Sequence, residues 1–229
     1  MDKTILMIVV LALGLLTIGV ALADAGMPGG AQINAQFNRG QFPVQGPATV
    51  NIQAGNITNA NLTTNESTYR WAGLYGNATG TLRLGDATGL QMYRWSAFGR
   101  LVYAARNLID WTTLADASPT DVEGQIAWLN LGAQDNYTNT FLNAPENIGS
   151  GIWTAMTSDY ALTYNDVGTS IWKTYSLKDV SNNIIFVGRV LRDSKAYSGQ
   201  PADYQMIIPE DGTSGDVTTT GWKLYVELV

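Results

Sequence analysis

The 229-residue chain contains neither cysteine nor histidine. Without cysteine there is no thiol nucleophile, no disulfide and no thiolate metal ligand. Without histidine there is no imidazole ligand and no Ser-His-Asp or Cys-His catalysis. These two absences exclude many common enzymatic chemistries. A chain of this length can still bury a core that is stable without disulfides.

Charged residues are also scarce, at 14% of the chain. Acidic residues outnumber basic ones by 19 to 13, which gives a formal net charge of −6. The sequence contains no block of basic residues, so it lacks the electrostatic footprint that holds a phosphate backbone. We therefore expect no nucleic-acid partner. The abundant Gly, Thr, Asn and Ser indicate a surface of neutral polar groups, which suits self-packing or glycan attachment.

The N-terminal segment differs from the rest of the chain. Residues 4–23 carry no charge and end in Ala21-Leu22-Ala23, a small-residue pattern typical of signal-peptidase sites. We predict a signal peptide over residues 1–23 and a mature chain that begins near Asp24. A retained membrane anchor is the alternative, because about twenty apolar residues can span a bilayer. Both interpretations predict a secreted, extracellular or cell-surface protein. If the signal peptide is cleaved, we expect the mature chain to have no membrane contact.

Residues 24–47 are rich in Gly, Pro and Gln and have too few apolar residues to form a core. We interpret them as an extended N-terminal arm that lies along its own domain, stays flexible or docks on a neighbour. The apolar residues that would make its contacts are Ile33, Phe37, Phe42 and Val44.

Strand signals recur after the arm, as alternating or β-branched and aromatic runs bounded by Gly, Asn and Asp. The predicted strands are 48–54, 69–75, 79–84, 90–95, 101–105, 170–177, 183–191, 204–208 and 221–228. Residues 85–89 (GDATG) predict a hairpin turn between the third and fourth of these strands. The pattern indicates one mostly β domain over residues 48–229, an antiparallel two-sheet β-sandwich of jelly-roll or immunoglobulin-like type.

A helical insertion interrupts the strands at about 118–142. Ser118-Pro119-Thr120-Asp121 combines a hydroxyl cap, a proline at the first helical position and a carboxylate three residues after the cap. An apolar stripe then recurs at helical spacing, through Val122, Ile126 and Leu129. A second, weaker helical pattern covers 134–142.

Five Asn-x-Ser/Thr sequons occur in the chain, and three of them are crowded between residues 54 and 69. In a host that glycosylates exported proteins, such sites in surface loops accept N-glycans. The glycosylation candidates are Asn56, Asn61, Asn65, Asn77 and Asn136. The alternative is a Thr/Asn-rich loop without glycans.

Aromatic residues are numerous, with 7 Trp and 11 Tyr. The tripeptide Tyr-Arg-Trp occurs at 69–71 and again at 93–95. Exposed Trp and Tyr faces can stack on sugar rings. Because aromatic residues more often fill β-sandwich cores, and because Trp71 and Trp222 alternate with apolar neighbours, we expect core packing to dominate.

Acidic residues cluster at 116–123 and at 210–216. Oxygen-rich loops can bind calcium, and Asp211 and Asp216 are the weak candidates for such a site. Neither cluster has the spacing of an EF-hand loop. Asp121 is better explained as a capping-box residue, and the second cluster as a hairpin turn. We therefore predict no other metal and no cofactor.

Catalysis by two carboxylates, as in glycoside hydrolases, needs neither histidine nor cysteine. No pair of carboxylates is singled out by the sequence, and no carboxylate stands out in an apolar, aromatic run. We therefore expect the protein not to be an enzyme.

Two segments resemble sequences of uncharacterised secreted surface proteins of archaea. They are residues 70–87 (RWAGLYGNATGTLRLGDA) and the region 204–228, with YQMIIP and the final LYVEL. The resemblance implies an archaeal cell-surface or extracellular setting. It implies no catalytic residues.

Together these features predict a structural subunit of an extracellular filament, pilus or surface coat. Residues 32–42 have the length and the polar/apolar mixture to add as a strand to the sheet edge of a neighbouring copy, by donor-strand exchange. The predicted partners are other copies of the chain, together with covalent N-glycans. The alternative is a secreted carbohydrate-binding module that uses exposed Trp and Tyr.

Overall fold

The computed structural model describes residues 28–35, 47, 49–51, 53–63, 67–130, 134–151, 153–210 and 219–229. Several predictions fall outside these residues. They are the signal peptide 1–23 and its cleavage site, the arm residues Phe37, Phe42 and Val44, the sequon Asn65, and the calcium candidates Asp211 and Asp216.

The described chain is mostly β-strand. The strands are β1 (Gly29–Gly30), β2 (Trp71–Gly76), β3 (Thr79–Gly85), β4 (Gln91–Ala105), β5 (Leu114–Asp116), β6 (Asn143–Ile148), β7 (Met156–Tyr164), β8 (Ser170–Asp179), β9 (Ile184–Arg189), β10 (Ser194–Lys195), β11 (Pro201–Ala202), β12 (Tyr204–Pro209) and β13 (Lys223–Leu228). The helices are α1 (Pro119–Gln125) and α2 (Tyr137–Thr140), with a 3-10 turn at Ala127–Asn130 between them.

One large antiparallel sheet carries the fold. Its strand order is β1-β13-β4-β9-β8-β7-β6, with β3 added to β4 and β5 added to β8. Strands β2 and β12 form a separate two-stranded sheet, and β10 pairs with β11. The predicted mostly β, antiparallel architecture is confirmed.

The first face of the large sheet is covered by β2, β12 and the helices. Alternate residues of the central strands, such as Val102 and Phe186, pack here against Met206 and Ile208 of β12. The helices contribute the buried residues Val122, Ile126, Leu129, Tyr137 and Phe141. The layers approach closely, because a Cβ at Gly188 would lie 3.2 Å from the sulfur of Met206.

The second face holds another core, made by the residues that alternate with those of the first. Tyr103, Tyr175 and Val187 are completely buried in it. Ile148, at the end of β6, and Tyr225, in β13, belong to this same cluster although their strands lie near opposite ends of the sheet. The large sheet therefore curls around its second core.

Helix α1 begins with the predicted capping box. The Ser118 hydroxyl accepts the backbone N–H of Asp121, and the Asp121 carboxylate accepts the backbone N–H of Ser118. Lys178 lies 2.8 Å from the Asp121 carboxylate. The hydrogen bonds from Lys178 and Ser118 lower the pKa of Asp121 to about 2, so the cap is ionised at neutral pH.

The structure corrects several predicted strands. Segments 90–95 and 101–105 are parts of the single strand β4, and the described residues of 48–54 form no strand. Strands β5, β6 and β7 were not predicted. Tertiary pairing explains them, since β6 contains a proline and two asparagines and is held through its register with β7.

In the described part of the chain, no helix combines the length and the apolar character needed to cross a bilayer.

Candidate functional site

The described part of the arm lies on its own sheet. Gly29 and Gly30 pair antiparallel with Val226 and Tyr225 of β13, and the N–H of Ala31 donates to the carbonyl of Leu224 at 2.9 Å. The other side of β13 is occupied by β4. The arm therefore takes the outer edge of the large sheet, through a strand of only two residues.

A groove of about 390 Å³ lies beside this contact. Arm residues 29–34 form one wall, and residues 75–80, which are the end of β2, the connection and the start of β3, form the other. Its floor contains the aliphatic side chains Val102, Leu224, Val226 and Leu228. Ile33, one of the predicted contact residues of the arm, is 55% exposed and is therefore not buried in its own domain.

The described sequons differ in their surroundings. Asn56 and Asn61 lie in the stretch 53–63, where every side chain is exposed and no helix or strand forms. Asn77 is exposed but lines the groove, so a glycan there would compete with anything bound in it. Asn136 caps α2 by accepting the N–H of Asn139 at 2.7 Å, so its amide is fixed in a folded turn.

Among the described residues, no group of three or more Asp, Glu, His or Cys side chains could hold a metal ion. The 116–123 cluster instead contains the capping box of α1. Partial burial of the carboxyl group, followed by the negative charges of Asp159 and Asp121, raises the pKa of Asp116.

One carboxylate contradicts the expectation that none would stand out in an apolar, aromatic run. Glu227 is only 5% exposed and lies on the face of β13 that contains Tyr225. The Tyr103 hydroxyl donates to one of its oxygens at 2.7 Å, and the N–H of Gly151 donates to the other at 2.9 Å. The Trp153 indole N–H donates to the Tyr103 oxygen at 3.0 Å.

This cluster, which consists of Glu227, its two donors Tyr103 and Gly151, and Trp153, joins the loop after β6 to the opposite end of the sheet. Burial, followed by the negative charge of Glu227, raises the pKa of Tyr103 well above its ordinary value. The phenol therefore remains a donor at all physiological pH values. The sequence signal was the alternation of Lys223, Tyr225 and Glu227, which places the carboxylate on the aromatic face.

The hairpin of β3 and β4 presents aromatic side chains to solvent. Its turn is the predicted one, with Gly89 at φ +90° and the Asp86 carboxylate accepting the N–H groups of Thr88 and Leu90, each at 3.0 Å. The rings of Tyr93 and Trp95 lie 4.8 Å apart at an angle of 56°. These two residues depart from the expected core packing, whereas Trp71 packs against Phe141 and Phe186, and Trp222 against Phe186.

Comparisons of the chain with protein-family models, with curated proteins and with solved structures gave no match.

Proposed function

We propose that the chain is a structural subunit of an extracellular filament, pilus or surface coat, in which the N-terminal arm of one copy pairs with β13 of the next. The supporting observation is the antiparallel contact of Gly29–Gly30 with the outer edge of β13. It supports β13 as the sheet edge that an arm from another copy would extend, in the same register.

The same hydrogen bonds can form within a chain or between chains. A two-residue strand contributes few bonds, so exchanging it for the identical segment of a neighbour costs little. An incoming arm would then replace the wall that residues 29–34 form in the groove beside β13, whose aliphatic floor suits side chains such as Ile33. A head-to-tail exchange of this kind does not close on itself and produces a fibre.

Engineered cysteines test this exchange, because the chain has none of its own. Gly29 and Val226 are direct partners in the register, and a Cβ at Gly29 meets no atom within 4 Å. Paired antiparallel residues have a Cα separation compatible with a disulfide. We expect a mixture of Gly29→Cys and Val226→Cys single variants to form disulfide-linked dimers on oxidation.

The matched control mixes Val226→Cys with Gly124→Cys, an exposed position on α1. This mixture should form no specific dimer.

Electron microscopy of the mature chain should show fibres, and Ala31→Pro, which removes the N–H that bonds Leu224, should reduce them. A mature chain that stays monomeric at high concentration would contradict the proposal.

Export and glycosylation belong to the same proposal. A mature N-terminus near Asp24 should be found by intact mass, and a native chain that still begins at Met1 would instead support an anchor.

Asn56 and Asn61 are the favoured glycan sites because their surroundings are exposed and irregular. Peptide mass spectrometry of native material should show hexose-type additions there, and Asn136 should be unmodified.

The archaeal setting and the jelly-roll or immunoglobulin-like type of sandwich also stay predictions. An experimental structure of the native assembly would test the connectivity and the contacts between copies together.

A second candidate function is glycan binding, favoured by the exposure of Tyr93 and Trp95 at 58% and 49%. Their rings are inclined by 56°, so together they form no flat platform for a sugar ring, although either ring could stack alone. Titration of soluble oligosaccharides against tryptophan fluorescence tests this function. A saturable change that Trp95→Ala abolishes, in a chain that remains monomeric, would favour it over assembly.

A further inference from the structure

The hairpin of β3 and β4 extends beyond the large sheet. In the described chain, residues 91–97 of β4 pair with β3 alone. From Phe98 onward β4 also bonds to the other side, since Phe98 and Val229, the residue after β13, exchange backbone hydrogen bonds. Seven residues at about 3.3 Å each give a ribbon roughly 23 Å long. A two-stranded ribbon in water is marginally stable by itself. A contact that covers it would therefore stabilise it.

One face of the ribbon is apolar. Leu84 is paired with Tyr93 and Leu82 with Trp95, so these four side chains project to the same side. They are 46 to 58% exposed. The four side chains form one contiguous apolar patch, whereas most exposed apolar residues on protein surfaces are scattered singly.

The opposite face carries two arginines together with the exposed side chain of Met92. Arg83 and Arg94 are directly opposite one another, and neither forms an ion pair with any described residue. Like charges in this position destabilise the pair of strands. In a chain of net charge −6, two adjacent unpaired arginines indicate a surface that is completed by an external anionic group.

The opposite end of the large sheet carries acidic residues, which complement the arginines of the ribbon in charge. Asp116, Glu123 and Asp159 lie there without an ion-pair partner among the described residues, since Lys178 pairs with Asp121. Exposed aliphatic side chains accompany them at Leu108 and Val180, 72% and 56% exposed. Gln125 of α1 donates a hydrogen bond to Asn182 in the β8–β9 turn, and Asn183 donates one to Leu108 in the loop after β4. These bonds join the three segments into one surface.

The strand register separates these two surfaces. Asp116 pairs with Leu177, Leu177 with Ile185, and Ile185 with Ala105, so the acidic surface lies at the level of Ala105. The ribbon leaves the sheet at Phe98, seven residues earlier, which is about 23 Å along the strand. A contact between the two surfaces must therefore join different copies.

A lipid surface suits the ribbon less well. The tip carries Asp86, whose carboxylate accepts the hydroxyl and N–H of Thr88 and the N–H of Leu90. An ionised carboxylate at the leading end opposes entry into hydrocarbon.

We propose that the arginine face of the β3–β4 ribbon of one copy docks on the acidic end of a second copy, with Arg83 and Arg94 facing Glu123 and Asp159, while the face with Tyr93 and Trp95 points away from this contact. The contact joins unlike surfaces, so it is head-to-tail and repeats without closing. This inference rests on the proposed self-assembly, to which it adds an interface separate from the arm.

Arg94→Glu is the sharpest test, because it places a carboxylate opposite Arg83. The ribbon should then become more stable, with slower hydrogen exchange at its amides, while self-association of the mature chain weakens by roughly tenfold or more in sedimentation. Lys195→Glu makes the same change of charge at an exposed residue that pairs with Asp166, outside both surfaces, and this control should associate normally.

Charge exchange gives the confirming result. Arg83→Glu with Arg94→Glu should abolish association, and so should Glu123→Lys with Asp159→Lys. Mixing these two double variants, or combining all four changes in one chain, should restore it. Circular dichroism melts would verify that each variant is folded.

The outcomes separate this inference from the proposed arm exchange. If Ala31→Pro prevents assembly while the charge variants assemble normally, the ribbon contact is wrong and the arm proposal stands. Failure of the unaltered mature chain to associate overturns both. Binding of the monomeric chain to phosphatidylcholine–phosphatidylglycerol vesicles through Trp95, or to a soluble oligosaccharide, overturns the ribbon contact in favour of that ligand.

Discussion

The two halves of strand β4 both contain large apolar residues, but their environments are opposite. The inner half runs from Gly99 to Ala105. Its last residues are buried on both faces of the sheet, and Tyr103, Ala104 and Ala105 have no exposed surface. The outer half, Gln91 to Phe98, is exposed at nearly every position although it contains Met, Tyr, Trp and Phe. Tertiary packing specifies the inner half, whereas a turn and cross-strand pairs specify the outer half.

The difference has consequences for stability and for function. Removing a side-chain contact from the inner half leaves buried polar groups or cavities, so it affects the whole domain. Changes in the outer half affect local opening and any contact with a partner. The same substitution made in both halves should therefore separate folding from assembly.

The largest expected difference is between Tyr103→Phe and Tyr93→Phe. Removing the Tyr103 hydroxyl leaves an oxygen of Glu227 and the indole N–H of Trp153 without that partner in the core. We expect the free energy of unfolding to fall by about 2–4 kcal/mol, because each unsatisfied buried group costs about 1–3 kcal/mol. Tyr93→Phe should change it by less than about 0.5 kcal/mol, as surface substitutions do. Urea unfolding measures both, and equal effects would contradict the comparison.

The junction between the halves gives the next effect. A Cβ at Gly99 would lie 2.7 Å from the Cβ of Ala78 and 2.9 Å from its carbonyl oxygen. Gly99→Ala should therefore destabilise the domain by about 1–3 kcal/mol, the usual range for overpacking. Gly73→Ala is the matched control, since a Cβ there meets no atom within 4 Å. Thermal melts should show a lowered Tm for the first variant alone.

Local signals in the sequence predicted the elements that depend on neighbouring residues. The capping box at Ser118 and the turn at 85–89 were found because their hydrogen bonds join residues at most four apart. The alternation in β13 was also predicted, since it follows from the period of a strand.

Long-range packing was not accessible in this way. The tripeptide Tyr-Arg-Trp occurs twice, yet Trp71 donates to the carbonyl of Asp135 and Arg70 pairs with the Asp135 carboxylate, while Trp95 is half exposed. The difference comes from residues far away in the chain. For the same reason the burial of Glu227 depends on Tyr103 and Gly151, which lie 124 and 76 residues away in sequence.

A smaller, local effect is expected from the turn of the outer half. Asp86→Ala removes the acceptor for the Thr88 hydroxyl and for the N–H groups of Thr88 and Leu90. We expect hydrogen exchange at the amides of Leu84 and Tyr93 to accelerate by roughly tenfold, because the ribbon opens locally. Amides of Val187 in the core should be unchanged. Acceleration throughout the domain would show that the two halves unfold together.

The smallest effect is the dependence of the outer half on pH. The hydrogen bond from the Thr88 side chain, followed by those from the backbone of Leu90, Thr88 and Gly89, lowers the pKa of Asp86 below its ordinary value of 3.8. The stabilisation of the turn is therefore complete above pH 3.8 and is lost as the pH falls through the lowered pKa of the folded state. Nuclear magnetic resonance should show the Leu84 and Tyr93 amides shifting in acid before those of Val187. Asp86→Asn keeps an acceptor but does not titrate, so in that variant the early acid transition should disappear. Its persistence would assign the transition to another carboxylate.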